Sequence, residues 1–190
     1  ASVQKTVEYA YSDYSVALLA KELGDMESYS LLMDRSKNYR NLFDGTTGFL
    51  RGRWADGSWV TPYDPGIPYY VYMYRESNGW MSTFFAPQDP EGLIGLFPSK
   101  EAFENKLDQL VSTPFEGYEA DNMTGWYGQY CVGNQPSQGI SYYYYFIGKP
   151  EKSQEKIDHI MNRFYAMGKE GLAYAGMDDE GSLSAWYVMN

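Results

Sequence analysis

Three stretches of the chain set polar residues beside glycine or tryptophan, and these are the places where chemistry is to be sought. They are Glu76-Ser77-Asn78-Gly79-Trp80, Gly133-Asn134-Gln135-Pro136-Ser137 and Met177-Asp178-Asp179-Glu180-Gly181. Carboxylates in two of them could serve the cleavage of a glycosidic bond. One carboxylic acid protonates the leaving oxygen, and a second carboxylate activates water or attacks directly. Trp80 gives Glu76 an apolar neighbour, the setting a general acid working near neutrality needs. Asp178 and Asp179 sit in an acidic cluster whose repulsion a bound cation, or a retained proton, would relieve. Each residue also has a plainer reading. Glu76 could complement a helix dipole, and Asp179 or Glu180 could cap a helix within a solvated turn. The Asn134 segment could simply start a helix. Trp54, Trp59, Trp80 and Trp126 could be core side chains or platforms for sugars.

Composition narrows the classes. A formal net charge of −10 repels phosphate backbones, so nucleic acid is not an expected partner. There is one histidine, His159, and one cysteine, Cys131, which argues against a histidine-built zinc site and leaves no internal disulfide. No Gly-rich phosphate loop or nucleophile elbow appears. No EF-hand loop appears either, so a calcium site would have to gather scattered oxygens. No apolar run is long enough to span a membrane. The 18% aromatic content suits either clefts that stack on sugars or a tyrosine-rich helical core.

The elements that must position these loops read as helix pairs. Val7, Tyr11, Tyr14, Leu18 and Leu19 recur at helical steps and predict a helix over 7–23, stopped by Gly24, with Asp25 capping a second helix over 26–42. A long ordered loop follows over 45–79, with short strands near 49–53 and 69–74. A loop of that length inside a compact domain is usually functional. Short helices are expected over 80–85 and 90–97. Ser99 should cap an amphipathic helix over 100–111 that turns Phe103, Leu107 and Leu110 inward. A polar linker runs to Asn122 and a polar, Gly-rich loop occupies 124–137. The tyrosine run at 140–147 reads as a buried helix, with strand as the competing reading. A helix over 151–167 should bury Ile157, Ile160, Phe164 and Tyr165 and leave His159 on an exposed face. The acidic loop lies within 168–181, and the chain then enters one more helix. The 190 residues are expected to form one all-α domain, part of an (α/α)6 toroid of helical hairpins with its long loops gathered at one end.

Several blocks carry a family resemblance. Residues 6–14, TVEYAYSDY, resemble the TLEYAYDDW helix of glycoside hydrolase family 92 α-mannosidases. Residues 35–44, RSKNYRNLFD, and 48–53, GFLRGR, are similar to the family's RSxNYKNLFD and GFMRGR, and DGSW follows at 56–59. ESNGW at 76–80 resembles EGNAW, GNQPS at 133–137 resembles GNEPS, and SAWYV stands at 184–188 after the acidic loop. The blocks keep the family's order and cover nearly the whole chain. The resemblance implies part of an (α/α)6 catalytic barrel, with the family's N-terminal β-sandwich missing from this chain. It implies release of mannose from non-reducing ends of α-mannosides, with inversion and with calcium assistance. Carried over, Glu76 is the general acid, and Asp179 with Asp178 beside it supplies the base. Trp80, Asn78, Asn134 and Gln135 are the candidates for substrate contact, and no metal ligand is assigned. A mannose-containing glycan is the implied partner, and a secreted, periplasmic or cell-surface parent is the implied setting.

The departures are specific. Gln135 replaces the glutamate of GNEPS, Val132 stands where histidine is common, and Gln138 and Gly139 follow where the family commonly has histidine. VPHD becomes Ala86-Pro87-Gln88-Asp89, and Met177 replaces an asparagine or an acid. The lost histidine and glutamate belong to the leaving-group region and put the common α-1,2 linkage in question, leaving another α-mannoside or a phosphodiester-linked mannose open. The loss of a carboxylate bears on the metal or water-activating site as well. A non-catalytic mannose-binding remnant of the same fold is the alternative reading. With the sandwich missing, the chain by itself is expected to be inactive.

Overall fold

The computed structural model describes residues 2–68, 73–117, 120, 122–166 and 173–190. Helix α1, Ser2–Glu22, buries Val3, Val7, Ala10, Ala17 and Ala20 along one stripe. Gly24 turns the chain at φ +79°, and Asp25 caps α2, Met26–Arg35, by accepting from the Ser28 amide at 3.0 Å. The two helices lie side by side as a hairpin, tied by an Arg35–Asp13 ion pair at 3.0 Å. The expected second helix over 26–42 is not continuous. It breaks at Ser36, whose hydroxyl bonds back to the Met33 carbonyl, and resumes as a 3-10 turn, Asn38–Leu42. That change of winding points Tyr39 inward, where its hydroxyl donates to Asp89 at 2.8 Å.

The structure is mainly helical, as expected, with two small hairpins set among the helices. Strands β1, Phe43–Asp44, and β2, Phe49–Leu50, pair antiparallel, with Phe43 opposite Leu50. Asp44 and Arg51 form a buried ion pair at 3.0 Å, and Arg51 also reaches the Val60 carbonyl at 2.5 Å and lies over the Tyr63 ring. Residues 69–72 of the second strand expected in this loop lie outside the described residues. Strands β3, Trp126–Tyr127, and β4, Tyr130–Cys131, form the other hairpin, inside a segment the sequence marks only as a loop. Its turn glycine, Gly128, has φ +60°. A Cβ there would meet the Val111 carbonyl at 2.5 Å, so the hairpin tip rests on the backbone of Leu110 and Val111.

The remaining helices supply the core. They are α3 (Gly79–Thr83), α4 (Pro90–Ile94), α5 (Lys100–Ser112), α6 (Tyr143–Phe146), α7 (Pro150–Phe164) and α8 (Ser182–Met189). Ser99 caps α5 as expected, and Phe103, Leu107 and Leu110 are its buried face. Phe84, Phe97, Phe103 and Tyr143 meet edge-on or tilted in the middle, the arrangement aromatic quadrupoles favour. The tyrosine run folds as a 3-10 turn passing into α6, so the helical reading prevails over strand. His159 is not on an open face: it is partly covered and stacks on Tyr127 at 4.3 Å, joining α7 to β3. Among the described residues no helix is long and apolar enough to cross a membrane.

Candidate functional site

Glu76 sits at φ +49°, the left-handed region that a residue with a Cβ enters at a cost of about 1–2 kcal/mol. The residues after it hold this geometry. The Ser77 hydroxyl meets that of Ser82 at 2.7 Å, and Ser82 donates to Gln4 Oε1 at 2.9 Å. Gln4 comes from the inward stripe of α1, one position after Val3. A polar side chain on an apolar stripe was the available signal, and the sequence reading passed over it. Asn78 caps α3, accepting from the Met81 amide at 3.0 Å, and donates Nδ2 to Gln129 Oε1 at 2.9 Å. Asn78 is fully buried with both ends of its amide engaged, so its observed contacts are with the scaffold. Gly79 passes so close to the first long loop that a Cβ would lie 2.9 Å from Pro65 Cα. Trp80 is half-buried and packs against the first hairpin. It meets Phe49 edge-on at 4.8 Å, and the Lys106 amine lies over its ring.

The second loop reaches both acidic segments. Asn134, itself buried, donates Nδ2 to the Glu76 carbonyl oxygen. The next residue, Gln135, donates Nε2 to Asp179 Oδ2 at 2.5 Å and approaches the Met177 carbonyl at 3.4 Å. Ser137 braces this turn with its hydroxyl near the Asn134 carbonyl at 2.7 Å and the Cys131 carbonyl at 2.5 Å. Glu76 lines a narrow cleft with Gln4, Met81, Phe85, Asn134 and Ser137. Phe85 and Pro136 also wall a larger apolar groove of about 270 Å³ that includes Gln135, Ile140 and Tyr143.

The third loop is interlocked with the second through glycine. A Cβ on Gly133 would lie 2.5 Å from the Ala175 carbonyl oxygen, and one on Gly176 would lie 2.4 Å from that of Gly133. The Thr124 hydroxyl adds a bond to the Ala175 carbonyl at 2.8 Å. Beyond this contact Glu180 is again left-handed, at φ +57°, and Gly181 follows at φ +80°. Asp178 turns toward α8, accepting from the Ser184 hydroxyl at 2.5 Å and its amide at 2.8 Å. Those bonds hold the Asp178 carboxyl below the usual carboxylate range, the hydroxyl contributing most. Asp178 thus shapes the loop end, while the exposed Asp179 presents itself to Gln135. In sum, Glu76 meets Asn134, Asp179 meets Gln135, Asn78 is withdrawn into the scaffold, and Trp80 lies to one side.

Among the described residues no group of three or more His, Cys, Asp or Glu side chains is arranged to hold a metal. Asp178 has both oxygens committed to Ser184, and the amides of Asn134 and Gln135 face carbonyl and carboxylate oxygens as donors. A calcium ion needs about six to eight oxygens turned toward one point, so the described residues do not fit it by themselves.

The glycosyl hydrolase family 92 catalytic domain model matches residues 1–190. The chain belongs to glycosyl hydrolase family 92. Its backbone resembles the family GH92 α-mannosidase BT3965 of Bacteroides thetaiotaomicron in complex with mannoimidazole, with a TM-score of 0.90 and 35% identity over 99% of this chain. It also resembles the family GH92 inverting mannosidase BT2199 of the same organism, with a TM-score of 0.78 and 33% identity over 98% of the chain. An uncharacterized secreted glycosidase of Arthroderma benhamiae is 27% identical over 98% of the chain. The chain spans about a quarter of the length of each of these relatives, 25% for BT3965, 26% for BT2199 and 25% for the fungal protein. The resemblance drawn from the sequence blocks is thereby established at the level of family.

Proposed function

We propose that the protein carrying this chain releases mannose from the non-reducing ends of α-mannosides with inversion of configuration. Glu76 gives its proton to the glycosidic oxygen as the bond from that oxygen to the anomeric carbon breaks. Asp179 accepts a proton from a water whose oxygen forms the new bond on the opposite face of the ring. Gln135 is the proposed contact with the sugar's leaving group, and Asp178 keeps the base loop in shape. The observation that carries this reading is the Asn134-Gln135 turn, which bonds to the backbone of Glu76 on one side and to the carboxylate of Asp179 on the other. A relative named as an inverting mannosidase supports the stereochemistry.

The complete fold is proposed to be an (α/α)6 barrel. Apolar side chains left exposed on α1 and α8, among them Leu19, Val188 and Met189, suit burial against further helices. The parent is proposed to be secreted, in keeping with the fungal relative. Calcium assistance is proposed for the whole enzyme, with none of the described residues assigned to it. The chain alone is proposed to be inactive, because it spans only about a quarter of the length of its relatives.

The test is a mannoside hydrolysis assay on the whole protein, with and without a chelator, beside Glu76→Gln. Removing the acid should cost about two to four orders of magnitude in kcat. NMR of the first product should show inversion. Unaltered turnover in Glu76→Gln would remove Glu76 from the mechanism, and mannose binding without release would favour the non-catalytic reading.

A further inference from the structure

The left-handed backbone of Glu76 demands an explanation. A glutamate at φ +49° relaxes toward ordinary φ unless its surroundings forbid it. On its C-terminal side the chain is fixed by three separate devices: the Ser77–Ser82–Gln4 hydroxyl–amide chain, the Asn78 cap of α3, and the Asn78–Gln129 bridge. At Glu76 itself the carbonyl sets the plane of its outgoing peptide. Asn134 Nδ2 donates to that oxygen.

Asn134 is well suited to the task. It is 7% exposed, its own carbonyl accepts from Ser137 Oγ at 2.7 Å and Ser137 N at 3.1 Å, and its amide nitrogen lies 3.4 Å from the Cys131 carbonyl. Its neighbour Gly133 is locked against Ala175 and Thr124. The donor is therefore a rigid post reaching the acid loop, 58 residues away in sequence, from outside that loop. A flexible or solvent-facing amide could not impose a strained φ on another segment.

We infer that Asn134 is a positioning residue for the general acid: by gripping the Glu76 carbonyl it holds the left-handed turn that aims the carboxyl into the cleft. It acts through Glu76 and need not touch the sugar. The inference rests on the reading of Glu76 as the proton donor. It assigns to Asn134 a role different from the substrate contact the sequence suggests.

The consequence is a dependence on leaving group. A misaimed acid harms substrates whose departing oxygen must be protonated and spares those whose leaving group departs unaided. The test uses the full-length protein with three variants, Asn134→Ala, Asn134→Asp and Glu76→Gln, assayed on methyl α-mannoside and on 2,4-dinitrophenyl α-mannoside. The aspartate is nearly isosteric but replaces the donor with an acceptor. For both Asn134 variants kcat on the methyl glycoside should fall roughly 10- to 100-fold, the scale of a misplaced catalytic group, with less than about threefold loss on the dinitrophenyl substrate and little change in KM. An equal loss on both substrates would mean a merely structural role and overturn the inference. So would full activity of Asn134→Asp on the methyl glycoside. Glu76→Gln is the reference. If it fails to show the same selectivity, the acid assignment itself falls. If it shows it and the Asn134 variants do not, the assignment stands and the positioning role is refuted.

Discussion

Replacing Gly133 with alanine should unlatch the third loop from the second. The new Cβ would lie 2.5 Å from the Ala175 carbonyl oxygen and 2.6 Å from that of Thr124. Carbon and oxygen ordinarily meet at about 3.3 Å, so each strand of backbone must retreat by roughly 0.7–0.8 Å. Both obstacles are main chain, so no flexible side chain can absorb the strain. The retreat also stretches the Thr124 hydroxyl bond to Ala175, now 2.8 Å, and the Gly133 amide bond to Thr124, now 3.2 Å. Overpacking typically costs about 1–3 kcal/mol and each weakened hydrogen bond up to about 1 kcal/mol, which puts the expected loss near 3 kcal/mol. For a domain of this size that lowers Tm by roughly 6–12 °C. Gly176→Ala attacks the same contact from the other side, with a Cβ 2.4 Å from the Gly133 carbonyl oxygen, and should cost about as much. Because both substitutions break one contact, the double variant should lose much less than the sum. Gly139 provides the control: nothing lies within 4 Å of its added Cβ and its φ is −75°, so Gly139→Ala should be neutral or slightly stabilising. Thermal unfolding followed by circular dichroism compares the four variants with the parent. A Tm drop of less than about 2 °C for Gly133→Ala, or an equal drop for Gly139→Ala, would refute the interlock.

Two further outcomes follow from buried charges. Asp44→Ala strands the Arg51 guanidinium, 8% exposed, beneath Tyr63, and should cost about 3–5 kcal/mol in urea unfolding; a loss below about 1 kcal/mol would mean water reaches the arginine. Burial pushes the Lys106 amine down to about 8, against Phe49 at 3.3 Å and Trp80 at 4.8 Å, where it donates to the Thr47 carbonyl at 3.1 Å. Between pH 8 and 9.5 the unfolded chain then holds this proton more firmly than the folded one, so this lysine makes stability rise with pH across that window. Lys106→Met should remove this contribution and make the pH slope less positive. Parallel urea curves at pH 7, 8 and 9.5 for both proteins test it, and identical pH slopes would disprove the assignment.

Much of the architecture can be read locally. Asp25 and Ser99 cap the helices expected of them because a cap needs only a short polar side chain within three residues of its amide. The inward stripes of α5 and α7 follow from helical spacing. The tyrosine run at 140–147 is ambiguous from propensity alone and is settled by packing, since Tyr143 and Tyr144 are buried while Tyr145 is exposed. The strand expected near 49–53 is half of the first hairpin, whereas the second, at 126–131, escapes notice because paired stretches of two residues show no alternation. The three loops that carry the candidate site were identifiable by residue type, and the family resemblance by block order. What joins them was not. The Gly133–Gly176 contact and the Asn134–Glu76 bond connect segments far apart in sequence, and nothing in either local stretch marks its partner. Asn78 shows the limit from the other direction: an asparagine inside a suggestive motif spends both ends of its amide on α3 and Gln129.

Cys131 lies in β4, directly before this junction. Its thiol is fully buried against the Thr124 carbonyl at 3.0 Å and is pushed up to about 12 by burial. In the closed protein it is a neutral thiol behind a wall, blind to alkylating reagents. Iodoacetamide must therefore wait until the segment beneath Asn134 swings outward. The rate of carboxamidomethylation becomes a tally of those excursions, so the protein carries a native chemical clock at the joint between its two acidic loops.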